Sequence, residues 1–156
     1  MRLTIRTNLA ARVLMFCAVN DGRIVRTAEI ARQCNASLNH LLQVVHVLQE
    51  NGFVDTLRGR TGGLRLARPM AQISVGHVFR VLESGTPFAE CFDPATNTCP
   101  LAGPCRLRDC LRRAVEAFFR ELDTVSLADL VQGNCGLRDL LLMADALKPP
   151  CAAGAE

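Results

Sequence analysis

TAEIARQCNASLNHLLQVVHVLQENGFVDTLRGRTGGLRL, residues 27–66, decides the fold. Thr27 offers an N-cap, and Ile30 and Ala31 form the inner face of a short helix that reaches Cys34. Asn35-Ala36 makes a tight turn. Ser37 caps a longer helix that runs to about Asn51 and stops at Gly52, with Leu41, Leu42, Val44, Val45 and Leu48 as its apolar positions. Short helix, turn, longer helix is the helix-turn-helix arrangement. Phe53–Leu57 then reads as a strand, Arg58–Gly63 as a turn with two arginines, and Leu64–Leu66 as the returning strand. A hairpin directly after a helix-turn-helix is a wing.

Such a unit reads double-stranded DNA. The longer helix presents its N-terminal residues to the major groove. Here those are Ser37, Asn39, His40 and Gln43, all able to hydrogen-bond base edges or phosphates. The wing tip brings Arg58 and Arg60 to a phosphate backbone or the minor groove. Charge agrees with this. Residues 1–80 hold eleven arginines against four acids, while the remainder holds seven bases against eleven acids. A basic half inside a chain of net charge +3 is the footprint of a polyanion partner.

On the N-terminal side, residues 6–19 form a helix with Leu9, Val13, Phe16 and Cys17 on one face, which makes Cys17 a core residue. On the C-terminal side, Ser74 caps a helix over about 75–84. A long helix follows over about 106–124, with Leu107, Leu111, Ala114/Val115, Phe118 and Leu122 as a regular apolar stripe that needs a partner surface. Ser126 caps a short helix through Val131, and a last helix covers about 137–147. Pro149-Pro150 and the Ala/Gly-rich end, with Cys151, read as a disordered tail. The expected organisation is a DNA reader over 1–84, a cysteine loop over 85–105, helices over 106–147 and the tail over 148–156.

Cys91, Cys99 and Cys105 fall within fifteen residues broken by three prolines and a glycine, so the segment is a loop held by its thiols. No apolar run is long enough for a membrane span, and the N-terminus lacks the pattern of a signal peptide, so a cytoplasmic location is expected. In that reducing setting clustered cysteines bind metals more readily than they pair. The spacings leave seven and five residues between thiols, too open for a zinc knuckle. Thiolates at wider spacing suit an iron–sulfur cluster, of the 4Fe-4S type or alternatively 2Fe-2S. Three thiolates leave one iron of a four-iron cluster without a protein thiolate; Cys110, Glu90, Asp93 or a residue of the first helix are candidates for that place. No catalytic constellation is present, and an enzyme is not expected.

Several pieces together resemble the Rrf-type winged-helix transcriptional regulators, and within them the nitric-oxide-sensing iron–sulfur repressors. They are Met-Arg-Leu-Thr at 1–4, Ser37-x-Asn39-His40-Leu41, Gly52-Phe53-Val54 and Arg58-Gly59-x-x-Gly62-Gly63-Leu64-x-Leu66. The cysteine loop and Leu127-Ala128-Asp129-Leu130-Val131 complete the set. The resemblance covers residues 1 to about 145. It implies a mainly α fold, a winged helix-turn-helix with a small hairpin wing plus a long dimerisation helix over about 106–124. It implies a homodimer with a cluster on Cys91, Cys99 and Cys105. It also implies repression of nitric-oxide detoxification genes until nitrosylation of the cluster releases the DNA. Asn8 stands where such members often carry an acid as fourth ligand, so Asn8 and Cys110 are the weak candidates for that role. Arg108 stands where the iron–sulfur-assembly branch uses a histidine, which argues against that branch. An iron- or redox-responsive regulator of the same family is the alternative. An iron–sulfur electron-transfer protein, from another class, leaves the helix-turn-helix and the basic wing without a purpose.

Overall fold

The computed structural model describes residues 3–60 and 62–143. Thr4 caps the first helix, α1 (Ile5–Val19), its side chain accepting from the Thr7 N–H. Asn20 and Gly22 turn the chain out of α1, the glycine at φ +78, where a side chain is strained. The turn leads to α2 (Thr27–Gln33) and α3 (Leu38–Glu50), with Asn35 at φ 47 in the connection. Arg26, and not Thr27 as expected from the residue types, holds the N-cap position of α2. Thr27 is already helical, and the Glu29 carboxylate reaches back to accept from the Arg26 N–H at 2.9 Å. Ser37 holds the N-cap position of α3, but its side chain makes no cap bond.

The wing is β1 (Val54–Leu57) paired antiparallel with β2 (Gly63–Leu66), Val54 opposite Leu66 and Leu57 opposite Gly63. Val25 extends the ladder by exchanging backbone hydrogen bonds with Leu64 at 2.8 and 2.9 Å. A Cβ on Gly63 would stand 2.4 Å from the Val25 carbonyl oxygen, so only glycine allows this approach. The wing is thereby fastened to the segment that leads into α2.

Beyond the wing come α4 (Val75–Glu83), the cysteine loop, α5 (Arg106–Asp123), α6 (Leu127–Val131) and α7 (Cys135–Leu141). The last helix begins two residues before the expected start, because the Asn134 side chain caps it by accepting from the Leu137 N–H. It ends at Leu141 rather than near residue 147. Leu142 is extended, and the Met143 N–H donates to the buried side-chain oxygen of Asn20 at 3.0 Å. The expected tail over 148–156, with Cys151, lies outside the described residues.

One apolar core joins these pieces. Leu9, Val13, Phe16 and Cys17 of α1 meet Ile30 of α2, Leu41, Val44 and Leu48 of α3, and Val54 and Leu64 of the wing. Val78 and Leu82 of α4, Leu127 and Val131 of α6, and Leu141 of α7 close the other side. The α1 pattern read from the sequence is the pattern that is buried, Cys17 included. Burial pushes the Cys17 thiol up to about 12, as fits a packing residue rather than a ligand. In contrast, no residue of α5 is buried. The α5 helix meets the rest of the molecule mainly along α4, where Gly76 lets the two backbones touch and Arg80 grips Glu116 and Asp123.

Candidate nucleic-acid interface and cysteine loop

Helix α3 is sharply two-sided. Leu41, Val44, Val45 and Leu48 are buried, which turns Ser37, Asn39, Gln43 and His46 to the outside. His40 is exposed on a flank that faces α1. It lines two depressions, one with Asn8, Arg12, Asn35 and Ser37, the other shared with Gln43. The wing tip carries Arg58 and Arg60, both exposed, and Gly59 takes φ +102 to make the turn. The Arg26 guanidinium lies 3.5 Å from the Arg60 carbonyl oxygen, so a third arginine stands at the junction of wing and α2. No motif marks Arg26; its place follows from the Val25–Leu64 bridge, which no local pattern announces. Arg65 faces Asp55 at 3.5 Å across the hairpin.

The cysteine loop is built of turns. A single 3₁₀ turn covers Glu90–Phe92, and Cys105 holds the N-cap position of α5, where the helix N–H groups favour negative charge. Cys91, Cys99 and Cys105 are free thiols, each half-buried. Cys91 and Cys99 are tied through their neighbours. The Glu90 carboxylate accepts from both the N–H and the hydroxyl of Thr98 at 2.7 Å, and the Asn97 side chain accepts from the Cys99 N–H at 3.1 Å. These bonds hold the Glu90 carboxyl below the usual carboxylate range. Asp93 is lowered likewise, by the Ala95 N–H first and then the Thr96 hydroxyl. Both acids named as possible fourth ligands are therefore engaged with the loop's own backbone.

The two other candidates stand apart. Asn8 is exposed beside the α2–α3 turn, on the reader side of the molecule. Cys110 is exposed on α5, its sulfur 3.3 Å from an Arg113 nitrogen. Among the described residues no three His, Cys, Asp or Glu side chains converge tightly enough to hold a single metal ion. The donor chemistry of the three loop thiols fits a thiolate-bound cluster, which is several atoms wide and takes ligands further apart than one ion does.

The loop borders α3 at one end and opens into α5 at the other. Its first residues, Gly85 and Thr86, share a groove of about 880 Å³ with His40 and Gln43 of α3 and with Thr4 and Arg6 at the start of α1. Directly before it, the Glu83 carboxylate accepts from the Thr4 N–H at 2.9 Å and from the hydroxyls of Thr4 and Thr7. Its last cysteine begins α5. Glu83 and Arg80 carry no local sequence signal for these roles, since their partners lie tens of residues away.

A family model described as Rrf2, iron-dependent transcriptional regulator, matches residues 3–133. The protein aau3 of Rhizobium meliloti is 39% identical over 153 residues, spanning 98% of this chain and 99% of its own. The HTH-type transcriptional regulator NsrR of Geobacillus kaustophilus is 42% identical over 142 residues, spanning 90% of this chain and 97% of its own. Among solved structures, IscR of T. potens superposes with a TM-score of 0.62 at 25% identity, covering 94% of each chain. The oxidized form of CymR from Staphylococcus aureus gives a TM-score of 0.65 at 25% identity, covering 85% of this chain and 97% of that one. No helix among the described residues is long and apolar enough to cross a membrane. The chain belongs to the Rrf2 family and is a DNA-binding transcriptional regulator with a winged-helix fold, not an enzyme.

Proposed function

We infer that the protein is a cytoplasmic repressor, acting as a homodimer, whose operator affinity is set by an iron–sulfur cluster and which responds to nitric oxide. The observation that carries this reading is the placement of the cysteine loop. Its first residues border the groove that holds His40 and Gln43, and its last thiol begins the unburied helix α5. A change in the loop's conformation bears on the reader and on the subunit contact together.

In this reading Cys91, Cys99 and Cys105 hold the cluster, of the 4Fe-4S type, with the fourth place left to Asn8, Cys110 or an outside ligand. When bound, the cluster supplies iron that reacts with nitric oxide. Ser37, Asn39 and Gln43 meet base edges or phosphates, His40 contacts DNA from the α1 flank, and Arg58 and Arg60 meet phosphates. The half-exposed stripe of α5, with Leu111, Val115, Phe118 and Leu122, is covered by a second copy. Residues 1–84 form the reader, 85–105 the sensor loop and 106–147 the dimerisation part.

The family's own description as iron-dependent favours a second reading, in which iron supply rather than nitric oxide sets cluster occupancy. One experiment separates the two. Protein purified without oxygen is titrated with nitric oxide, or with an iron chelator, while optical absorption near about 400 nm and DNA retardation are followed in parallel. Nitric oxide that bleaches the cluster and releases DNA supports the first reading. Bleaching with unchanged DNA affinity refutes it, and release by chelator alone selects the second.

A further inference from the structure

Helix α3 carries no arginine or lysine over Leu38–Glu50. It therefore lacks the side chains that make the commonest specific contact, a two-pronged hydrogen bond to guanine. Its exposed surface instead holds two adjacent ridges. The outermost is Asn39, Gln43, His46 and Glu50, at helical spacing, with His46 and Glu50 3.4 Å apart. Beside it, on the flank where the Gln49 side chain accepts from the Thr56 hydroxyl of β1, lie Leu38 and Leu42. They are one helical turn apart and are 43% and 51% exposed. Leu42, one of the apolar positions of the helix, turns outward, because Leu41, Val44, Val45 and Leu48 already fill the inner face. A single exposed leucine needs no account. Two on one ridge, at the N-terminal end of the helix and on the flank that turns toward β1, present apolar surface where DNA docks.

We propose that Leu38 and Leu42 are specificity residues that read thymine methyl groups in the major groove, beside Asn39 and Gln43 reading adenine. The chemistry is paired. An amide side chain offers a donor and an acceptor matched to adenine N7 and N6, and the partner thymine places its methyl group on the neighbouring strand edge. Two amides one turn apart, flanked by two leucines one turn apart, form a reading head for consecutive A·T pairs. Without a lysine or arginine on α3, sequence-independent affinity falls to arginines on other elements, those of the wing among them, so base reading and phosphate binding are carried by separate elements.

The test uses the full chain purified without oxygen and a pool of random-sequence DNA duplexes. Duplexes retained by the wild type are sequenced, and one enriched duplex is made again with deoxyuridine in place of thymidine, which removes only the methyl groups. Enriched half-sites rich in A·T pairs are expected. The uracil duplex should bind wild type about fourfold more weakly for each methyl contacted. Leu42→Ala should bind thymine and uracil duplexes nearly alike, and Leu42→Met should recover much of the discrimination. Leu42 is exposed, so thermal unfolding of the variant should match wild type. G·C-rich half-sites, equal binding of both duplexes by wild type, or undiminished discrimination by Leu42→Ala each overturn the proposal. Retention of no duplex at all would instead contradict DNA binding by this chain, a different failure from retention without thymine preference.

Discussion

Arg80 and Glu116 meet in a two-pronged ion pair, each guanidinium nitrogen 2.9 Å from a carboxylate oxygen. The same guanidinium donates to Asp123 at 2.9 Å and lies 4.8 Å from the centre of the Phe119 ring. One side chain of α4 thus holds three positions of α5, the helix with no buried residue of its own. Exposed pairs contribute little singly, but a planar fork on two carboxylates and a ring restricts its own geometry. Arg80→Ala is expected to lower the melting temperature by about 3 °C and to loosen α5 before the rest unfolds. Hydrogen exchange of α5 amides against those of α1 checks the order; equal protection in both helices would remove Arg80 from this role.

The same pair gives a pH dependence. The hydrogen bonds from Arg80 hold the Glu116 carboxyl below its ordinary range. A carboxylate with a depressed folded value contributes stability above its unfolded value and loses it as pH falls through the folded one. The difference in unfolding midpoint between wild type and Glu116→Gln should be present at neutral pH and vanish in acid. A difference that persists below the carboxylate range contradicts the assignment.

Gly76 marks the closest approach of α4 and α5. A Cβ there would stand 2.2 Å from an Asp123 carboxylate oxygen and 2.5 Å from its backbone nitrogen. The side chain could swing aside, but the backbone cannot, so Gly76→Ala pushes the helices apart and strains the Arg80 contact with Asp123. A loss of about 1–3 kcal/mol, typical of overpacking, is expected in urea unfolding. A variant as stable as wild type would show that the seam has room to open.

Much of this arrangement was legible in the residues, and the exceptions share a cause. Leu9, Val13 and Phe16 repeat at helical spacing and are buried as the spacing requires. Ser74 and Ser126 were readable as caps, and each side chain accepts the bond that the role demands. The wing followed from its glycines and short strands. What could not be read depends on partners distant in sequence. The end of α7 is set by Asn20, 123 residues before Met143. The placement of His40 on the α1 flank follows from which side of α3 the core claims. Glu83 and Arg80 look like ordinary surface charges until α1 and α5 are brought to them. For the cysteine loop, spacing identified the thiols, while the Glu90–Thr98 clamp needed the fold of the loop itself.

The buried Asn20 side chain joins α1 to the C-terminal segment. It donates to the carbonyls of Phe16 and Leu141 at 2.9 Å and accepts from the Met143 N–H. Asn20→Ala leaves the Leu141 carbonyl and the Met143 N–H without this partner at a site only 2% exposed. A loss of about 2–3 kcal/mol is expected by urea unfolding, with early deprotection of α7. A loss below about 0.5 kcal/mol would mean that water replaces the amide without cost.

The wing offers a prediction that separates position from specificity. Arg58 and Arg60 are exposed at the tip, so removing either charge is expected to leave the fold intact. Arg60→Ala should weaken binding to every duplex by a similar factor and reduce the slope of log affinity against log salt by about one. The thymine-over-uracil preference assigned to α3 should survive the change, since the role proposed for Arg60 is a phosphate contact. Combining Arg60→Ala with Leu42→Ala should then give additive losses, because the two residues sit on separate elements and are assigned separate contacts with the DNA. An unchanged salt slope would place the wing outside the interface, and a lost thymine preference would show that the wing sets the depth at which α3 enters the groove.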